Sequence, residues 1–140
     1  MVHGVFADES AWGFVRNDLA KNVNIIVVNL PAHGADNTFG ANVELNDYVQ
    51  TVTKAVNNAP SKVILLGHSM AGAIISQVAE NVPNKIDKLV YVAAYLPKNG
   101  ESIQSLNNGF YGKKLLTFLS LIKTILIINK ERCFTNSSLC

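Results

Sequence analysis

Val63-Ile64-Leu65-Leu66-Gly67-His68-Ser69-Met70-Ala71-Gly72 reads as a strand, a tight turn and the start of a helix. Four apolar residues in a row, two of them β-branched, predict a buried parallel strand. Ala73 to Glu80 continues at helical spacing and places Ile74, Ile75 and Val78 on one face. Small residues flank Ser69: Gly67 and Ala71 stand two positions either side, and Gly72 follows. Strand, sharp turn and helix in this order is the arrangement called a nucleophile elbow, in which a strained turn exposes a serine hydroxyl at the strand's C-terminal end. The N–H of Met70, at the helix N-terminus, would then point at an oxyanion forming beside Ser69. The strict pattern G-x-S-x-G has Ala71 in place of its second glycine, and alanine is still small. The plain alternative is a strand–helix turn that happens to contain a serine.

Outward from this stretch the chain alternates strand and helix patterns. Ser10 is read as the N-cap of a helix carrying Trp12, Val15 and Leu19 at helical spacing, with Trp12 as core or pocket wall. Asn24–Leu30 is read as a second buried strand, ended by the loop Pro31-Ala32-His33-Gly34. Leu45 to Asn58 is predicted helical, with Leu45, Val49, Val52 and Val56 in one stripe. Pro83 breaks the helix after Ser69, and Lys88–Leu96 is read as a third strand, stopped by Pro97. Alternation of this kind predicts an α/β fold built from parallel βαβ units. In open α/β sheets ligands bind beyond the C-terminal strand ends, where Ser69 would lie.

Composition narrows the function classes. The chain has 140 residues, 49% hydrophobic and 16% charged, which suits a well-buried domain. A net charge of +2, without a Lys/Arg cluster interleaved with aromatics, argues against a nucleic-acid partner. Cys133 and Cys140 lie together at one end and form no disulfide framework, and no metal-ligand spacing is present. The opening Met1-Val2-His3-Gly4 lacks the charged start and apolar core of a secretory signal, so a cytoplasmic location is expected. Leu115 to Ile128 is mostly apolar, but Lys123 interrupts it and the run is short of the roughly 20 residues of a membrane span. Residues 129–140 are polar and patternless.

Four segments in order carry a family resemblance: His3-Gly4; Asn29-Leu30-Pro31-Ala32-His33-Gly34; Gly67-His68-Ser69-Met70-Ala71-Gly72; and Ala93-Ala94-Tyr95-Leu96-Pro97. Together they resemble the α/β-hydrolase superfamily, most closely its small-esterase and hydroxynitrile-lyase branch, over residues 1 to about 106. The resemblance implies a parallel-sheet core in three layers, αβα, and a division into a partial hydrolase domain at 1–106 and a divergent tail at 107–140. It implies Ser69 as the nucleophile toward small carboxylic esters, with no cofactor. It further implies an oxyanion hole from the N–H groups of Val5 and Met70, with His3 and Gly4 setting the loop that aims Val5. Gly67, His68, Ala71 and Gly72 would support the elbow.

The chain departs from that pattern in two respects. Its histidines, His3, His33 and His68, all precede Ser69, whereas the family's general base follows the nucleophile. No Asp follows Asp87, and Glu101 reads as a solvated loop residue rather than an orienting acid. His68 is expected to point away from the Ser69 hydroxyl. In the family, His-Gly ends a full central strand, of which Met1-Val2 is all that matches here; the cap and C-terminal strands have no match. The expectation is an incomplete α/β core and impaired hydrolysis. The alternatives are a non-catalytic fragment or binding-only member of the family, and hydroxynitrile-lyase-like chemistry at the same site. Against the reading of an incomplete core stands an alternative, that Lys123–Asn129, rich in β-formers, fills the vacant central slot.

Overall fold

The computed structural model describes residues 1–98, 100–102 and 125–129. The expected division at residue 106 falls outside them. The elements are α1 (Gly13–Leu19), α2 (Leu45–Asn57), β1 (Val63–His68), α3 (Ala71–Asn81), β2 (Ile86–Val92) and β3 (Ile125–Asn129), with short 3-10 turns at Glu9–Trp12, Gly40–Asn42 and Pro83–Lys85.

The centre is β1–α3–β2. Strands β1 and β2 pair in parallel, with Leu65 opposite Leu89 and Gly67 opposite Tyr91. Their connection is α3, whose Ile74, Ile75 and Val78 are fully buried, as the spacing predicts. Tyr91 reaches up from β2, and its hydroxyl lies 2.8 Å from Ser76 Oγ, which itself donates to the Gly72 carbonyl at 2.8 Å. Burial pushes the Tyr91 phenol pKa up, so it stays a protonated partner for Ser76. Helix α2 packs on α3 through Val49, Val52 and Val56. Its first turn is closed by a capping box between Glu44 and Asp47. Leu45, expected in the same stripe, sits in that first turn and remains 42% exposed. Helices α2 and α3 thus cover one face of the sheet, while Ile64 on the other face of β1 is 57% exposed.

The N-terminal residues form a two-residue strand between two walls. Val2 bridges Gly67 of β1 on one side and Val28 on the other, both in parallel. Val2 N–H donates to Leu66, His68 N–H donates to Val2, and Val28 N–H donates to Met1. The expected strand at Asn24–Leu30 is reduced to the bridge at Val28. Among the described residues its pairing is this single bridge to Val2.

Three further boundaries differ from expectation. Ser10 is not the helix cap: it lies inside the 3-10 turn Glu9–Trp12, whose cap Asp8 accepts the Ser10 N–H at 2.8 Å, and the N-cap of α1 is Trp12, with no side-chain cap bond. Of the stripe read there, Trp12 is buried, whereas Val15 and Leu19 lie exposed. Strand β2 ends at Val92 rather than Leu96, because Ala93 turns to a φ of 44°. Finally, β3 lies antiparallel on the outer edge of β2, with Val90 opposite Ile127. The 125–129 segment is therefore a strand, but it extends the far edge and does not enter the slot beside Met1-Val2. Among the described residues no helix is long and apolar enough to cross a membrane.

Candidate active site

Four non-glycine residues have left-handed backbone: Phe6, Ala32, Ser69 and Ala93, with φ of 59°, 58°, 56° and 44°. Each follows the C-terminal end of one parallel strand or bridge segment: Val2, Val28, β1 and β2 respectively. Side chains with a Cβ avoid this region, so backbone strain is gathered on one rim of the sheet. That rim is where open α/β sheets place their ligand sites.

Ser69 stands at the β1–α3 junction, and Met70 is the N-cap of α3. The Ser69 N–H donates to Val92 at 3.3 Å. Its carbonyl accepts from Gly72 at 3.1 Å and from Tyr95 at 3.0 Å, so the segment after β2 clasps the turn. The small residues have measurable reasons. A Cβ on Gly67 would lie 2.9 Å from the Ala71 carbonyl oxygen, and one on Gly72 only 2.0 Å from that of Tyr95. Ala71, which replaces the second glycine of the motif, is fully buried with its methyl accommodated.

The loop after Val2 passes directly beside this turn. A Cβ on Gly4 would be 2.8 Å from Ser69 Cβ and 3.2 Å from His68 Nδ1. His3, fully buried, ties the loop down. Its Nε2 accepts the Leu30 N–H at 3.1 Å, which leaves Nδ1 to donate to the Gly4 carbonyl at 2.9 Å. One imidazole thereby joins the loop beside Ser69 to the loop after Val28. His3→Leu fits the volume but deprives a buried N–H and a carbonyl of their partners. It should destabilise the fold by about 2–6 kcal/mol, at about 1–3 kcal/mol for each of the two orphaned groups, read as a fall in urea midpoint at unchanged slope.

Gly4, His68, Ser69 and Met70 are thus brought together, with Val5 next to Gly4. Neither the Val5 nor the Met70 N–H donates to a described residue. The Ser69 hydroxyl likewise has no hydrogen bond from a described residue, and no histidine reaches it. His68 presents its ring edge-on to Trp12, with centroids 6.4 Å apart, and burial lowers its pKa. His33 donates from Nδ1 to the Pro31 carbonyl and packs between His3, tilted at 5.2 Å, and Tyr48, edge-to-face at 5.8 Å. The sequence left His33 as a loop residue; its packing role depends on contacts distant along the chain. Tyr95, whose backbone holds the turn, was visible only as part of a strand exit. Among the described residues no cluster of His, Cys, Asp and Glu could hold a metal.

A family model described as the alpha/beta hydrolase family matches residues 1–125. The chain belongs to the alpha/beta hydrolase family. Among curated relatives, a pimeloyl-[acyl-carrier protein] methyl ester esterase of Pectobacterium carotovorum is 34% identical over 94 residues, 67% of this chain and 35% of that protein. The corresponding esterase of Salmonella newport is 33% identical over the same span. The chain thus spans about a third of the length of these relatives. Among solved structures, an extracellular alpha/beta-hydrolase from a Paenibacillus species aligns with a TM-score of 0.69 at 27% identity, over 85% of this chain and 47% of that one. It is described as sharing structural and functional homology with Tobacco Salicylic Acid Binding Protein 2. Polyneuridine aldehyde esterase aligns with a TM-score of 0.71 at 23% identity, over 81% of this chain and 48% of that one, a likeness of fold. The α/β-hydrolase fold, in the incomplete form described above, is therefore the architecture of this chain.

Proposed function

We propose that the chain is an esterase-type serine hydrolase acting on small carboxylic esters through an acyl-enzyme at Ser69. The observation that carries this reading is the left-handed Ser69 at the β1–α3 junction, with the Gly4 loop packed against it. Ser69 Oγ attacks the ester carbonyl carbon, and the carbonyl oxygen becomes an oxyanion. The N–H groups of Val5 and Met70, which donate to no described residue, stabilise that oxyanion, each donor of this kind contributing about 2.7–4 kcal/mol to the barrier reduction. The tetrahedral intermediate collapses with loss of the alcohol, and water then releases the acid. The names of the similar bacterial esterases direct attention to methyl esters. No cofactor enters these steps.

The proton of Ser69 limits the rate. All three histidines of the chain are among the described residues, and none is hydrogen-bonded to the hydroxyl. Without a base, serine attacks poorly, although the oxyanion donors alone can leave residual catalysis. Hydrolysis by this chain is therefore proposed to be slow. The same observation supports a second reading, a binding-only member of the family.

Treatment of the folded 140-residue protein with a fluorophosphonate, followed by mass spectrometry, separates the two. Slow labelling confined to Ser69, approaching one adduct per chain, is the expected result. A protein with native circular dichroism that takes up no label would establish the binding-only reading. Parallel assays on methyl esters and cyanohydrins distinguish hydrolase from lyase chemistry at this site.

A further inference from the structure

We propose that Phe6 is a specificity-determining residue of the Ser69 site, receiving the apolar chain of the ester; this rests on the proposed function in so far as Ser69 marks the substrate site. Two features of Phe6 act against stability. Its φ of 59° is a conformation that costs an L-residue roughly 1–2 kcal/mol. Its ring is 98% exposed, so no packing within the described residues offsets that strain. Outliers of this kind persist where the surrounding structure enforces them, and they cluster at active sites and ligand clamps.

The position supplies the ligand. Gly4 abuts Ser69, and Phe6 lies two residues further on, its Cα within about 7 Å of that of Gly4. The arm is not free to drift, because His3 anchors it to Leu30 and Val2 is paired on both sides. With the Phe6 Cα within about 7 Å of that of Gly4, an eight-carbon chain on an ester held at Ser69 is long enough to span that separation, whereas a four-carbon one is not. The ring offers hydrocarbon contact only. The nearby acid Asp8 is engaged by the Ser10 N–H, which holds its carboxyl pKa below the usual range and leaves it turned to capping. The substrate class is therefore an ester with an extended apolar chain, not a charged or strongly hydrated one.

The test measures binding without chemistry. Ser69→Ala protein, with and without Phe6→Ala, is titrated with methyl butyrate and methyl octanoate by ligand-observed NMR. The Ser69→Ala protein should prefer the octanoate, and adding Phe6→Ala should shrink that preference about five- to tenfold, the scale of discrimination by an apolar pocket contact. Failure of either ester to bind, or a preference that ignores Phe6→Ala, overturns the assignment. An equal loss on Phe14→Ala, which removes a ring 93% exposed on α1, overturns it as well, because it marks general adhesion to surface aromatics. Fluorophosphonate labelling of the unaltered protein keeps the two readings apart. A Phe6-dependent preference without labelling removes the hydrolase and leaves the apolar site. Labelling with no Phe6 dependence does the reverse.

Discussion

Gly72→Ala should be among the most damaging single substitutions in this chain, lowering stability by about 3 kcal/mol or more. The added methyl would lie 2.0 Å from the Tyr95 carbonyl oxygen, 2.8 Å from the Tyr95 nitrogen and 2.9 Å from Ala94 Cβ. Two of these neighbours are backbone atoms, so no rotamer change relieves the clash. Either α3 shifts, disturbing the fully buried Ile74 and Ile75, or the 94–95 segment lifts away. The second course breaks the Tyr95 N–H bond to the Ser69 carbonyl. Such a loss is a large part of a typical domain's net stability of about 5–15 kcal/mol. Urea denaturation provides the measurement, and hydrogen exchange at the Tyr95 amide tells which course is taken. A midpoint equal to that of the unaltered protein would show that the clasp is not packed as described.

Ser69→Gly should move stability and function in opposite directions. Glycine adopts a φ of 56° without the steric conflict of a Cβ, which relieves roughly 1–2 kcal/mol of strain against roughly 0.4–1 kcal/mol of added unfolded-chain entropy, so Tm should rise by about 2–4 °C. It also removes the only hydroxyl at the junction and should abolish fluorophosphonate labelling completely. A lower Tm would mean that the serine side chain stabilises the turn, although no described residue hydrogen-bonds to it. Retained labelling would place the nucleophile elsewhere.

Local features were legible before any coordinates. The apolar run at Val63–Leu66, the spacing of Ile74, Ile75 and Val78, and the stripe at Val49, Val52 and Val56 each follow from the periodicity of a single element. The elbow was legible for the same reason, since its constraint acts between neighbours in sequence. Features that depend on distant partners were not. Asn24–Leu30 has strand composition, but a strand needs a paired neighbour along its length, and among the described residues its pairing is the single bridge of Val28 to Val2. The composition of 125–129 announced a strand without saying which edge it would join. Tyr95 contributes through its backbone, which leaves no side-chain signature. Position Ala71 shows the limit of motif matching: the site without room for a Cβ is the following residue, Gly72.

The pairing of Val2 has a kinetic consequence. The elbow is assembled from β1, α3 and β2, which are consecutive, so its formation closes only short loops. The Gly4–Val5 arm is secured by partners far along the chain, through Leu66 and His68 on one side and Ile26 and Val28 on the other. Closing long loops costs more entropy and rewards it later. The arm should therefore dock last and detach first, in an opening well short of global unfolding. While it is detached, Ser69 would face solvent with the Met70 amide alone, so any catalytic competence of this chain follows the lifetime of the docked arm rather than that of the folded core.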